Sequence, residues 1–187
     1  MSCGPGCSIC DRRRKEAATQ RAEYDPDWRD RIFDTFSVPE SARVRSNDSG
    51  RAWITFLPDN KVLRIGSGDD YEPKDLFPLI DTRVWPSLKY YPRLHYLKRI
   101  ANRNVSVMDR MTVCSQQDSA YGWDYEEFRQ KYPDLYDDVI EMVEGGVQRE
   151  AKRLGIPPPG DLHLYNIGWD RNLQVKVIDI WNGPSAG

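Results

Sequence analysis

Three oxygen-bearing side chains near the C-terminal end of the sequence have types and spacing that suit a metal site. Asp161 and Asn166 stand five residues apart after a proline run and a glycine, and Asp179 closes a β-branched run thirteen residues later. Residues 170–172, Asp-Arg-Asn, are typical of a turn, so the sequence predicts a loop, a strand, a tight turn and a second strand. Carboxylate and amide oxygens brought together in this way are ligands that Mg²⁺ prefers, with substrate phosphate as a further ligand.

This C-terminal segment resembles a catalytic loop. Residues 160–166 have the sequence Gly-Asp-Leu-His-Leu-Tyr-Asn, and residues 177–179 have the sequence Val-Ile-Asp. The pattern resembles the catalytic loop and metal-binding aspartate of the protein-kinase-like phosphotransferases, and looks closer to their aminoglycoside and small-molecule branch. The resemblance implies that Asp161 orients or deprotonates the attacking hydroxyl, while Asn166 and Asp179 hold Mg²⁺ on the phosphates of ATP. The alternative is a β-hairpin whose polar residues face solvent.

Bulk composition narrows the class of protein. The 187 residues suit one domain or two small lobes sharing a cleft, and 27 Lys and Arg nearly balance 29 Asp and Glu. This balance gives no electrostatic reason to expect nucleic acid as a partner. No apolar run has the length of a membrane span, and the N-terminus lacks the apolar core of a signal peptide. We therefore expect a soluble cytoplasmic protein that does not bind membranes.

Three of the four cysteines lie in the first ten residues: Cys3, Cys7 and Cys10. Their spacing matches the [4Fe–4S] loop of radical-SAM enzymes, but the repeated βα units of those enzymes are not predicted here. A zinc clip is a second alternative, with its fourth ligand drawn from Cys114, His95 or His163. The favoured interpretation is a Gly/Pro-rich tail with reduced, free thiols.

The next part of the sequence predicts one helix and then several strands. Trp28, Ile32, Phe33 and Phe36 recur at helical spacing. Strands are predicted at residues 42–45, 52–57 and 61–65, separated by polar turns. Three antiparallel strands resemble the opening of a kinase small lobe. By that resemblance the turn containing Gly50 covers the nucleotide phosphates with backbone N–H groups.

Arg64 occupies the position on the third strand at which the family places a phosphate-binding lysine. Arginine is larger than lysine and binds phosphate as a fork, so the two are not interchangeable. The alternative is an ordinary strand residue facing water. The resemblance also implies an acidic partner for Arg64 in the proline-interrupted helical segment that follows, for which the candidates are Glu72, Asp75 and Asp81.

Residues 107–111 resemble the kinase hinge, where backbone groups bind the edge of the adenine ring. They begin at the end of the second of two predicted strands, 93–97 and 105–108, which are joined by a turn at residues 101–104. The resemblance implies that Met108 guards the back of the nucleotide pocket. It also implies that Asp109 and Met111 present the backbone contacts to the base.

Two helices are predicted before the catalytic segment, at residues 125–132 and 134–154. The longer one has an apolar stripe, formed by Leu135, Val139, Met142, Val143, Val147, Ala151 and Leu154. Gly155 is placed as a helix C-terminal stop, and three prolines follow it. The order of strands, hinge, helices and catalytic hairpin is that of the kinases.

The sequence also departs from the family. Pro159 stands where a supporting histidine is usual, Ile180-Trp181 follows Asp179 in place of Phe-Gly, and only eight residues follow Asp179. We expect that an activation segment and the later helices of the large lobe are absent. A peptide-substrate platform would be lost, whereas a nucleotide and metal site could survive. A homo-oligomer could supply the missing support.

These observations predict an α+β, protein-kinase-like fold with three parts. Residues 1–41 form an N-terminal tail with a short helix, residues 42–111 a small β-rich nucleotide-binding lobe with its hinge at 108–111, and residues 112–187 a reduced helical lobe with the catalytic-loop hairpin. The expected function is metal-dependent transfer of a phosphoryl group from ATP to an unidentified acceptor. The alternatives are a pseudokinase-like module that binds a partner protein and a regulatory protein with a metal-clipped tail.

Overall fold

The computed structural model describes residues 27–43, 52–66, 73–101, 103–113, 125–160 and 162–181. Within these ranges the chain has an α+β architecture, in which two antiparallel sheets pack with four α-helices and several shorter helical turns. None of the helices in these ranges is long and apolar enough to cross a membrane.

The larger sheet has four strands: β1 (Trp53–Leu57), β2 (Lys61–Ile65), β3 (Leu94–Ile100) and β4 (Arg103–Asp109). Their spatial order is β1-β2-β4-β3, and each neighbouring pair is antiparallel. The turn between β1 and β2 holds Asp59 and Asn60 at positive φ, a conformation that Asp and Asn adopt more readily than most residues. The strand order shows that the chain leaves the sheet after β2 and returns at β3. The last strand, β4, then fills the position between β2 and β3.

The connection from β2 to β3 contains 3₁₀ turns instead of an α-helix. The two turns are Pro73–Leu79 and Trp85–Ser87. Pro78 and Pro86 lack the N–H that an α-helix needs in its interior, which limits these segments to short helical pieces. Leu76 and Leu79 are fully buried. The predicted helical stretches with interrupting prolines are confirmed, and they are 3₁₀ turns.

Helix α1 (Trp28–Thr35) covers one face of the larger sheet, as its apolar spacing predicted. Its buried side chains pack against the strand residues Leu63, Ile65, Val105 and Val107. Trp28 meets Trp53 edge to face at 5.3 Å, and the guanidinium of Arg103 lies 4.7 Å from the Trp28 ring. Aromatic and cation–π contacts therefore supplement the apolar packing of α1 on the sheet.

Three further helices follow: α2 (Tyr125–Lys131), α3 (Pro133–Glu141) and α4 (Val147–Leu154). The sequence predicted one continuous helix over 134–154, which is wrong, because a π-helical turn, Met142–Gly146, separates α3 from α4. Gly145 within it has a φ of 120°. A Cβ on Gly146 would lie 2.7 Å from the Tyr90 ring, so the helix is broken where this distant ring packs on its backbone. The predicted stop at Gly155 is confirmed, with a φ of 68°.

The smaller sheet joins the chain after the larger sheet to the C-terminal hairpin. Its strands are β5 (Thr112–Val113), β6 (Ile167–Trp169) and β7 (Val175–Val177), in that spatial order. The predicted turn at residues 170–172 is confirmed, and the Asp170 carboxylate accepts the N–H groups of Asn172 and Gln174 at 2.8 and 3.1 Å. The apolar stripe of α3 and α4 packs in one core with Val175 and Val177.

Two predicted boundaries need correction. The expected strand at residues 42–45 does not begin at Ala42, which ends a 3₁₀ turn, Glu40–Ala42, and residues 44–45 lie outside the described ranges. Pro39, with a φ of −57°, precedes this turn and holds the backbone in a conformation suited to entering it. The turn expected at residues 101–104 is shorter, because β4 already begins at Arg103.

Candidate functional site

Arg64 and Asp179 meet where the larger sheet faces the C-terminal hairpin. Arg64 lies on β2, and Asp179 follows the end of β7 by two residues. Nη2 of Arg64 is 3.5 Å from Oδ1 of Asp179, and the two side chains are 6% and 26% exposed. The alternative expectation of a water-facing Arg64 is therefore wrong. A buried guanidinium is stable only when charge and hydrogen-bond partners compensate its lost hydration, and Asp179 supplies such a partner.

Trp181 packs against the same guanidinium. Cζ of Arg64 lies 4.9 Å from the centre of the Trp181 ring, and Trp181 is only 1% exposed. The backbone N–H of Trp181 also donates to Oδ1 of Asp179 at 3.3 Å. A planar guanidinium can stack on an aromatic ring while pairing with a carboxylate. The Ile180-Trp181 sequence, a departure from the kinase pattern, thus orients both charged groups.

Asn166 lies at the same end of the β6–β7 hairpin as Asp179. Its backbone carbonyl accepts the N–H of Ile178 at 2.8 Å, and its Nδ2 is 3.1 Å from Nε2 of His163. The contact with His163 involves the amide nitrogen, and an amide binds a cation through its oxygen. One carboxylate and one amide oxygen are a donor set that fits Mg²⁺ when phosphate and water complete the coordination.

An apolar strip, formed by Ile54, Phe56 and Val62, lies beside Arg64 on one face of the larger sheet. Directly paired residues of antiparallel strands share a face, so Ile54 lies on the side of Arg64, and Phe56 lies beside Val62. Ile54 and Phe56 are 43% and 58% exposed, whereas Met108, paired with Val62, is buried. Exposed apolar side chains beside a buried cation form a surface suited to a planar ring that carries negative groups.

The chain after the larger sheet packs directly on the hairpin at Gly168. A Cβ there would lie 2.7 Å from the Thr112 carbonyl oxygen, 2.9 Å from Cβ of Met111 and 3.1 Å from Cγ2 of Ile178. Any larger residue would push β5 away from β6. Because Gly168 has no side chain, Met111 and Ile178 lie close together beside it. Ile178 is the residue before Asp179.

The predicted hinge is tied to the larger sheet by several contacts. The N–H of Asp109 donates to the Arg93 carbonyl at 3.2 Å, and the N–H of Arg110 donates to the Asn60 carbonyl at 2.8 Å. Oδ1 of Asp109 lies 2.6 Å from Nε2 of His95. The backbone N–H of Asp109 is therefore engaged within the protein. The guanidinium of Arg110 lies 4.0 Å from the Phe56 ring, at the edge of the apolar strip.

Asp81, one of three acidic residues considered as the partner of Arg64, pairs elsewhere. Its carboxylate accepts hydrogen bonds from the side chain and the backbone N–H of Arg83, with a shortest distance of 2.7 Å. These bonds lower the pKa of Asp81 to about 2. A carboxylate that does face Arg64, that of Asp179, comes from the C-terminal hairpin. Glu72 lies outside the described ranges.

Several predicted site residues also lie outside the described ranges: Cys3, Cys7, Cys10, Gly50, Cys114 and Asp161. Their roles stay predictions. Within the described part of the chain, no three His, Cys, Asp or Glu side chains form a group that could hold a metal ion.

Two buried charged residues near the site escaped the sequence interpretation. Lys176 and Glu150 are 1% and 7% exposed. Lys176 alternates with valines in β7, a pattern that predicts a polar, solvent-facing side. The burial of Glu150 was easier to predict from the sequence, because Glu150 lies on the apolar stripe, three residues after Val147 and four before Leu154.

The comparisons with known proteins identify no family. No protein-family model matches the chain, and no curated protein matches it.

Proposed function

We propose that the protein is a metal-dependent, ATP-using phosphotransferase with a kinase-like arrangement of its two sheets. The observation that carries the proposal is the contact between Arg64 and Asp179. In kinase-like enzymes, a base on the sheet and an aspartate after the catalytic hairpin act on the same phosphates. The strand order β2-β4-β3, with its crossover between β2 and β3, also supports the proposal. The predicted hinge, residues 108–111, lies at the end of β4.

The nucleotide would lie between the apolar strip and the hairpin. Ile54 and Phe56 would contact one face of the base, and Met111 would lie near its other side together with Ile178. The forked guanidinium of Arg64 would bind phosphate oxygens, for which its geometry is well suited. Exposed aromatic and aliphatic side chains give sequence-tolerant stacking with a purine ring.

Asn166 and Asp179 would hold Mg²⁺, which when bound shields the charge of the phosphates. Asp161 would accept the proton of the acceptor hydroxyl, the role that its position five residues before Asn166 implies. Asp179 and Arg64 would thus act on the nucleotide, and Asp161 would act on the acceptor. The acceptor is a small molecule or a partner protein.

Isothermal titration calorimetry with ATP, in the presence and absence of Mg²⁺, tests the proposal. The wild type should bind Mg-ATP, and Arg64→Met should lose most of the affinity because the phosphates lose their buried cation. Arg83→Met is the matched control, since Arg83 also pairs with an aspartate but is 88% exposed. No heat of binding and no thermal shift with either form of ATP would refute the proposal.

One observation favours a second candidate, a pseudokinase-like binding module. Arg64 already compensates the charge of Asp179, so the pair could hold a nucleotide or a partner's acidic group without a cation. Equal ATP affinity with Mg²⁺ and with a chelator, together with no ATP consumption, would favour this module over the enzyme.

A further inference from the structure

The carboxylate of Glu150 binds the backbone of an irregular segment from one side. Its two oxygens accept the N–H groups of Lys89 and Tyr90, each at 2.7 Å. The segment around these residues belongs to neither a helix nor a strand. Arg153 on the same helix reinforces the contact, with Nη2 3.0 Å from the Ser87 carbonyl oxygen and 3.4 Å from the Glu150 carboxylate.

The ammonium of Lys176 binds the same segment from the hairpin side. Its Nζ donates to the carbonyl oxygens of Leu88 and Lys89 at 3.1 and 2.8 Å. It also lies 5.4 Å from the ring of Trp85. The next residue, Val177, donates its N–H to the Tyr90 carbonyl at 2.8 Å. Two buried side chains of opposite charge therefore hold the backbone of residues 88–90.

These contacts do more than fill the core. Removing a carboxylate and an ammonium from water is costly, and apolar residues would pack beside Leu88 and Tyr90 at lower cost. Glu150 and Lys176 instead form hydrogen bonds with the backbone donors and acceptors of one short segment. Because hydrogen bonds are directional, they fix the position of that segment in a way that apolar contacts do not.

We propose that Glu150 and Lys176 are positioning residues that hold Asp179 opposite Arg64. The clamped segment, residues 88–90, leads into β3 of the sheet that carries Arg64. Lys176 lies three residues before Asp179 on the hairpin. The candidate site has two halves, the larger sheet with Arg64 and the hairpin with Asp179. Glu150 and Lys176, together called the clamp, join these halves, because the hairpin residue Lys176 binds the backbone that leads into the sheet. This inference deepens the proposed function, because it concerns the geometry of the same site.

Hydrogen exchange of the wild type gives the first test. The amides of Lys89 and Tyr90 lie outside regular secondary structure, yet they should exchange as slowly as the buried amides of β4. Exchange at the rate of an exposed loop would overturn the proposal without any variant. Glu150→Gln keeps one acceptor oxygen and replaces the other by a donor, so one of the two amides loses its hydrogen bond and should exchange about tenfold or more faster relative to β4.

A second test asks whether the clamp positions the site. The protein is labelled with 5-fluorotryptophan, and the ¹⁹F signal of Trp181 is assigned with Trp181→Phe. Lys176→Met should shift or broaden this signal, because the hairpin that carries Trp181 loses its attachment. Glu141→Gln is the matched control: it removes the charge of a surface carboxylate that accepts a hydrogen bond from Nζ of Lys89 at 2.7 Å, without touching the backbone.

The outcomes separate this proposal from the proposed function. An unchanged Trp181 signal in Lys176→Met would leave Lys176 a merely structural residue and overturn the positioning role. Global destabilisation alone does not move a native-state resonance. Neither readout uses ATP, so a protein that fails to bind Mg-ATP can still pass both tests.

Discussion

Arg64 and Asp179 are 115 residues apart in the chain, yet Nη2 of the guanidinium lies 3.5 Å from Oδ1 of the carboxylate. Trp181 contacts both residues, one through its ring and the other through its backbone N–H. The contact links the larger sheet to the C-terminal hairpin at the point where both are expected to face phosphate. Changes at these three positions therefore test the site most directly.

Arg64→Lys should weaken Mg-ATP binding by about tenfold, although protein kinases use a lysine on a small-lobe strand for the same phosphates. The variant keeps the charge but loses the stacking on Trp181, and a desolvated cation–π contact is worth about 1–2 kcal/mol. Calorimetry on Arg64→Lys, Trp181→Phe and the double variant measures their coupling. Additive losses, or tighter binding by Arg64→Lys, would show that Trp181 does not align the cation.

Phe56→Ala should lower ATP affinity by about tenfold, because stacking of a base on an aromatic ring contributes roughly 1–3 kcal/mol. The free energy of unfolding should change little, since the Phe56 ring is 58% exposed. Phe77→Ala is the matched control, because Phe77 is 53% exposed and lies in the 3₁₀ turn after β2. Equal effects of the two variants on ATP affinity would remove the apolar strip from the binding site.

The local elements were largely predictable from the sequence. Alternation and turn residues located β1 and β2, and the Asp-Arg-Asn turn located the hairpin. The apolar spacing of Trp28, Ile32 and Phe33 located α1. These signals are local, because each depends on residues within one or two turns of helix or one strand.

The site geometry depends on contacts between distant parts of the chain, which the local signals do not specify. Strand periodicity allowed Arg64 to face either water or the core, and Asp179 and Trp181 approach it from the C-terminal hairpin. At the break between α3 and α4, the backbone of Gly146 packs against the ring of Tyr90, a residue from a distant part of the chain. The alternation of Lys176 with valines in β7 is typical of a solvent-facing side chain, but the segment around Trp85 covers that side of the hairpin.

Lys176 predicts a pH dependence of stability with a definite sign. Burial lowers the pKa of Lys176 below its ordinary value of 10.5, and this effect outweighs the nearby carboxylates of Asp170, Glu150 and Asp109. Between the lowered pKa and 10.5, the unfolded chain binds more protons than the folded one. The free energy of unfolding should therefore gain a rising contribution as pH increases through this window.

Urea denaturation of the wild type and Lys176→Met across that window measures this contribution as a difference. Lys89→Met is a control of opposite sign, because hydrogen bonding to Glu141 raises the pKa of Lys89. The stability that Lys89 contributes is present below 10.5 and is lost as pH rises through its raised pKa. If the difference between wild type and Lys176→Met did not vary with pH, the ammonium of Lys176 would not be destabilised by burial.

Asp161 and Asp179 should respond differently to substitution by alanine. Asp161→Ala should lower phosphoryl transfer by at least about a hundredfold, the usual cost of removing a general base, while Mg-ATP affinity stays nearly unchanged. Asp179→Ala should lose both, because it removes a metal ligand and leaves Arg64 without a carboxylate that lies 3.5 Å away.

Both variants must first give the circular dichroism spectrum of the wild type, so that loss of folding does not imitate loss of chemistry. Calorimetry then measures Mg-ATP affinity, and ATP consumption is followed with candidate small-molecule and protein acceptors. A wild type that consumes no ATP, with an Asp161→Ala variant altered only in partner binding, would contradict the enzyme and favour the binding module. If instead Asp161→Ala lost Mg-ATP affinity as fully as Asp179→Ala, Asp161 would act on the nucleotide, and the separation of roles between the two aspartates would be wrong.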